Sequence, residues 1–300
     1  MKLRNSIILV FIACSSIFSQ EFQGIPVEHY SKSLLDLKFR NYQLIELDVN
    51  AIQNSLNNRS NIQQLKIKSA QINWDLTLNE FNMFNKDFYL SVGEENKVVK
   101  KYGKPDIRTF KVVSNSKRAG RSCLTLADHF IYGFIEEAGV RTHIEPLRNL
   151  DESAGLDQFI IYSENDVIPI AGLKCGSDEL MENAHLGENE VINKSNGQRG
   201  ACVIVDVALA CDKTIHDAKG GITGAENFVT GVMNDVQTNY DDEFTTSVEF
   251  SIATIFVATS TSTDPWNGLT TIDAHLNKHR DWANGGGYGG AGYGVATAWT

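Results

Sequence analysis

The chain has 300 residues, 42% hydrophobic, 21% charged and 9% aromatic. That is the balance of a globular protein with apolar material for one or two packed cores, and it excludes intrinsic disorder and collagen-like order. Its 27 Lys and Arg against 37 Asp and Glu give a net charge of −10, of which residues 201–300, with 4 basic and 12 acidic side chains, carry −8. Such an acidic body without a Lys/Arg-rich run lacks the electrostatic footprint of a nucleic-acid binder, so proteins or cations are the expected partners.

Residues 1–20 read as an export signal: Lys2 and Arg4 form a positive n-region, Ile7 to Ile12 an apolar stretch, and Ser15, Ser16 and Ser19 a small-residue region before Glu21. The apolar stretch is shorter than the roughly 20 residues needed to span a bilayer, so the mature chain is expected to be secreted, without stable membrane insertion. Cys14 leaves with the signal, and four cysteines remain: Cys123, Cys175, Cys202 and Cys211. An exported chain can form disulfides. If Cys202 to Cys211 is one strand, nine steps of about 3.3 Å separate its two thiols by roughly 30 Å, against roughly 6 Å in a bridge. A Cys123–Cys175 bridge stays open.

Gln43 to Leu56 reads as a strand running into a helix. Cys123 to Phe134, Val140 to Ile144 and Phe159 to Tyr162 read as β runs, with Gly139 at a turn. Residues 60–95 carry no clear reading. The polar, glycine-containing stretch 188–200 is the expected linker. Beyond it, Cys202 to Ala210 is a near-continuous apolar run, as in a strand buried on both faces. Thr223 and Glu226 have capping-box spacing and open a helix whose Ala225, Phe228, Val229, Val232, Met233, Val236 and Tyr240 form one stripe. A strand over Val248 to Thr259, a helix from Thr270 to Ala283, a glycine-rich loop and a last strand, Val295 to Trp299, complete an α/β unit.

Local motifs stop short of a catalytic centre. His275 and His279 are spaced to share a metal ion, but Leu276 stands where a zinc protease helix of the H-E-x-x-H type has its Glu, so two packing histidines are the better account. Gly287, Gly289 and Gly292 match G-x-G-x-x-G by letter, yet follow a helix and precede a strand, the reverse of a dinucleotide site. Asp241, Asp242 and Glu243 read as a solvated turn rather than a calcium site. Asn58-Arg-Ser60 and Asn193-Lys-Ser195 match the glycosylation sequon.

Taken in order, several stretches resemble one family. Gln43 to Asp48 with Ala51 to Leu56, Val98 to Phe110 (VVKKYGKPDIRTF), His143 to Leu147 and Phe159 to Tyr162 resemble the propeptide of secreted metzincin zinc metalloproteases of the adamalysin/reprolysin branch, especially its bacterial members. Val203 to Ala208, Thr223 to Tyr240, the strand to Thr259 and Leu276 to Arg280 resemble the start of the catalytic domain. The resemblance implies a signal peptide (1–20), an α+β, mainly antiparallel β propeptide (21–187), an activation segment (188–200) and the N-terminal part of an α/β metzincin-like catalytic domain (201–300).

It further implies a zinc cofactor, protein or peptide substrates and an activating protease. The family's H-E-x-x-H-x-x-G-x-x-H helix is absent from these 300 residues, so the ligands are expected beyond residue 300 and the chain as given is expected to be inactive. Cys175, in Lys174-Cys175-Gly176, is the expected latency ligand, its thiolate holding the zinc position. A disulfide to Cys123 and an inert thiol are the competing roles. A secreted, non-catalytic binding or adhesion protein with the same fold is the alternative reading of the whole.

Overall fold

The computed structural model describes residues 21–27, 32–56, 62–95, 97–116, 118–169, 203–243 and 248–300. The first sheet has ten strands: β1 (Glu21–Gln23), β2 (Ile25–Pro26), β3 (Gln43–Glu46), β4 (Ile62–Lys68), β5 (Asn73–Phe81), β8 (Arg108–Ser114), β9 (Ser122–Ala127), β10 (Phe130–Glu137), β11 (Val140–Pro146) and β12 (Gln158–Ser163). β6 (Phe84–Glu94) and β7 (Lys97–Tyr102) leave this order for a second sheet. Within the first sheet the order is β1-β4-β5-β8-β9-β10-β11-β12-β3-β2, antiparallel except for β1 beside β4.

Its two ends are successive parts of one segment, because β1 and β2 are separated only by Gly24, whose N–H donates to Lys68 O at 2.8 Å. The Ser69 hydroxyl donates to Gln43 Oε1 across the same seam at 2.8 Å. The sheet therefore nearly closes into a barrel. Strands β4 and β5 alternate in burial, with Leu65, Ile67, Trp74, Leu76 and Leu78 turned inward. They meet helix α2 (Val49–Ser55), which follows the short α1 (Lys32–Leu35). Asp48 caps α2 by accepting from Ala51 N at 2.8 Å, and Val49, Ile52 and Leu56 join the barrel core.

Residues 60–95, without a reading from sequence, thus contain β4, β5 and the whole of β6. The run Cys123 to Phe134, expected as one strand, is two: β9 and β10 pair as a hairpin through Asp128 and His129, and His129 turns the chain at φ 51. Ala138 and Gly139, at φ 56 and 77, make the next hairpin turn, as both positive dihedrals of a type I′ turn require.

The second sheet has the order β15-β13-β14-β6-β7, built on β13 (Val203–Cys211), β14 (Val248–Ala258) and β15 (Val295–Trp299). β15, β13, β14 and β6 run parallel, and β7 is the antiparallel edge. Two helices lie between β13 and β14, α3 (Lys213–Ala218) and α4 (Ile222–Glu243), and one, α5 (Ile272–Asn284), between β14 and β15. Ala225, Val229 and Met233 of α4 share a core with Val207, Leu209 and Cys211 of β13. Ala208 and Ala210 point the other way, into a cluster with Trp266, Trp282 and Tyr288. β13 is closed off only in its second half, since Val203 and Ile204 are exposed.

The expected capping box does not form. Gly220 and Gly221, at φ 80 and 106, turn the chain out of α3, so α4 starts at Ile222 and Thr223 lies inside it. Asp241, Asp242 and Glu243 are its last turn rather than a solvated loop: Asp241 pairs with Lys111 at 2.6 Å and Asp242 with Arg121 at 3.2 Å, tying α4 to the barrel. Helix α4 is thereby sandwiched between the two sheets. No helix among the described residues is long and apolar enough to cross a membrane.

A crevice at the carboxyl ends of the parallel strands

In an open α/β sheet a crevice forms beyond the carboxyl ends of the strands, where successive crossovers diverge to opposite faces. Here the space in question lies beyond the end of β13, beside β15 and next to the loop from β14 to α5. It holds a crevice of about 580 Å³, lined by Asp212, Asp264, Trp266, His275, His279 and Thr297 among others, within the range of small-molecule sites.

Asp212 follows β13 directly and caps α3, its carboxylate accepting from Ile215 N at 2.7 Å. Burial holds its proton on above the usual carboxylate range, opposed by that backbone N–H and reinforced by the Asp264 charge. Asp264 accepts from the backbone N–H groups of Trp266 at 2.9 Å and Lys213 at 3.3 Å, which fixes the loop ahead of α5. Thr271 caps α5 through Ala274 N at 3.3 Å. Two buried nitrogens of lining residues, Trp266 Nε1 and His275 Nδ1, have no hydrogen-bond partner among the described residues. Both atoms are covered by surrounding protein, so neither is presented to a guest in the crevice as the lining stands.

His275 and His279 line the same crevice but are not a ligand pair. His279 Nε2 shares a 2.8 Å hydrogen bond with the Tyr288 hydroxyl, its ring lies against Trp266 and Trp282, and burial lowers its pKa. The Tyr288 hydroxyl in turn donates to Thr297 O at 3.2 Å, linking α5 to β15. Tyr288→Phe removes both contacts and is expected to lower the unfolding free energy by about 1–2 kcal/mol; an unchanged urea midpoint would contradict this linkage.

Among the described residues no three His, Cys, Asp or Glu side chains are grouped so as to hold a metal ion. They do not fit a zinc site. Cys175 and Cys202, both sequons and the 188–200 linker lie outside the described residues. Cys123 is a free, buried thiol that donates to Asp235 Oδ1 at 3.0 Å, and Cys211 is free and buried at the end of β13. The glycine-rich loop does follow a helix and precede a strand, with Gly286, Gly289 and Gly290 at positive φ. Sequence reasoning missed Asp212, Asp264 and Trp266. The available signal was an acid placed directly after a buried valine-rich strand, where an α/β sheet opens its crevice.

No family model matches the sequence, and no curated protein matches it. Among solved structures, metalloproteinase-II from Bacteroides fragilis is similar over 85% of this chain and 68% of that chain, with 9% sequence identity and a TM-score of 0.37. A likeness that low in both measures carries no argument about fold or activity.

Proposed function

We propose that the chain is the precursor portion of a secreted zinc-dependent endopeptidase. In this reading residues 1–20 are an export signal, 21–187 a latency propeptide, 188–200 the segment cut on activation and 201–300 the first part of the protease domain. Cys175 is the latency ligand, and the zinc ligands lie beyond residue 300. No catalytic step is assigned to the described residues.

The observation that carries the reading is the two-faced character of α4. Toward its own sheet it presents Ala225, Val229 and Met233. Toward the barrel, beside one aromatic contact of Phe228 with Tyr132, it presents small and polar groups: a Cβ at Gly231 would stand 2.7 Å from Tyr132, Asn234 donates to Leu124 O and Thr125 Oγ1 at 3.0 Å each, and Asn239 accepts from Arg141 at 2.8 Å. An apolar face suits a permanent core, and a polar one tolerates water after its cover has gone. That is the property required of a surface that a removable segment covers. The order and spacing of the family-like stretches support the same division.

The test is to read the gene past codon 300 and to express the whole frame. A three-histidine motif with its Glu, together with caseinolytic activity that rises at least tenfold in Cys175→Ala before any cleavage, is the expected result. A frame without those ligands ends the enzyme reading. It would leave the second one, a secreted binding protein; zinc-independent binding of a small guest in the crevice would identify it.

A further inference from the structure

The barrel does not need the chain between β5 and β8. Those strands pair with each other as if adjacent, from Leu76 opposite Ser114 to Phe81 opposite Thr109. The Thr109 hydroxyl donates to Phe81 O at 2.6 Å, and Arg108 forks onto Glu80, its Nε 2.9 Å from Oε1. Everything between leaves the barrel as the hairpin β6–β7 and joins the other sheet.

There it is not peripheral. β6 lies parallel to β14, with Thr254 opposite Tyr89, Ile255 opposite Leu90 and Val257 opposite Val92. Thr254 Oγ1 donates to Tyr89 O at 2.8 Å, and Gly93 O accepts from Thr259 N at 2.9 Å and Thr263 Oγ1 at 2.7 Å. Met83, Phe84, Phe88, Leu90 and Val92 are buried in the same core as Val229 and Met233 of α4. The arm also reaches the loop after α5, the Tyr89 hydroxyl and Lys100 ammonium donating to Tyr288 O and Gly289 O.

Without the arm, β14 would be an edge strand with an unpaired backbone, and the core holding Ile255 and Val257 would lose the cover of Phe88, Leu90 and Val92, which together make a template for aggregation. With it, the outermost strand is β7, exposed and carrying Lys97, Lys100 and Lys101, the residues that defend an edge. One segment thus replaces an apolar edge by a charged one.

We propose that the hairpin Phe84–Tyr102 is a built-in strand donor: an arm of the barrel whose role is to supply the partner that β14 requires for the second sheet to fold. The surface is the β14 edge, and its occupant is this arm. The pairing holds under either reading of the whole chain, but under the protease reading it requires the arm, which lies within residues 21–187, to stay on β14 after the 188–200 segment is cut.

In the test, residues 83–107 of the full chain are replaced by an Asn-Gly turn, which closes Asn82 against Arg108 as a two-residue hairpin. Hydrogen exchange followed by mass spectrometry then reads each sheet separately. Barrel peptides are expected to keep their protection, while peptides from β13 and β14 lose it by at least a hundredfold. A synthetic peptide of residues 83–107, added during refolding, is expected to restore it. Parental protection of β14 in the armless chain would overturn the proposal. If the armless chain folds in neither sheet, recovery of β14 protection on adding the peptide supports the proposal, and no recovery overturns it.

Discussion

Asp235→Asn is expected to flatten the fall in stability between pH 5 and pH 8. Asp235 is half-buried where α4 meets the barrel, accepting from the Cys123 thiol of β9. Burial raises its pKa from the ordinary 3.8 to about 7; the Cys123 hydrogen bond lowers it, the Glu145 charge on β11 raises it and Arg141 lowers it. Tyr132 of β10 and Tyr162 of β12 are further titratable groups that sense the Asp235 charge. A carboxyl raised in the folded state binds more protons folded than unfolded between those two values, so stability is full below pH 4 and is lost as pH rises to about 7.

The loss across that window is on the order of 4 kcal/mol, of which about 3 kcal/mol falls between pH 5 and pH 8. An amide keeps the oxygen that accepts from Cys123 and carries no charge. It brings an unpaired NH₂, but that cost is the same at every pH, so the slope is the readout. Glu145 and Glu226 are also raised by burial, Glu226 to about 7, and they slope the profile of parent and variant alike. Urea unfolding at the two pH values measures the difference, and parallel profiles would rule out Asp235 as its source. If α4 and the barrel are to separate on activation, this carboxyl makes separation easier in neutral and alkaline media than in acid.

The second large effect is expected at Gly133. It sits in β10 at φ 144, opposite Leu124 on one side and Ile144 on the other. A methyl group there would overlap the Cys123 carbonyl oxygen, which belongs to the neighbouring strand's backbone and cannot rotate aside. Strain at a conformation that L-residues avoid adds to the clash. Gly133→Ala is therefore expected to lower the unfolding free energy by more than about 3 kcal/mol. Gly139→Ala is the control: its φ is 77 but nothing lies within 4 Å of the added methyl, and a loss of about 1 kcal/mol is expected. Equal losses at the two positions would show that backbone conformation alone is at work.

The part of the second sheet beyond residue 200 was readable from sequence because its elements carry their own periodicity, whereas β6 and β7 were not. The valine run of β13, the stripe on α4 and the strand ending at Trp299 lie where the pattern placed them. The same stripe also misled, since it marks only the face toward β13. Asn234, Asp235 and Thr238 look solvent-facing on any helical projection, and only the three-dimensional packing shows a barrel covering them.

Strand identity was harder than strand existence. Tyr89, Leu90 and Val92 are good strand residues, but nothing in a run of side chains states which sheet they join; that depends on an edge contributed from about 160 positions away. The alternation in β4 was obscured by its glutamines, of which Gln63 is turned inward. Of the crevice, the two histidines were visible and Trp266 was not, because a single tryptophan in a loop has no periodicity to reveal it.

The seam at Glu21–Pro26 sets the order in which the barrel can be finished. Its residues precede in the chain every strand they pair with, yet one flank of the seam needs β4 and the other needs β3. β3 is itself held by β12, which ends at Ser163. Closure therefore waits until well over a hundred residues have emerged, and it joins segments far apart in the chain, the kind of pairing that slows folding. The seam strand must remain unpaired throughout that interval. A chaperone that binds short extended segments would find it before the barrel does.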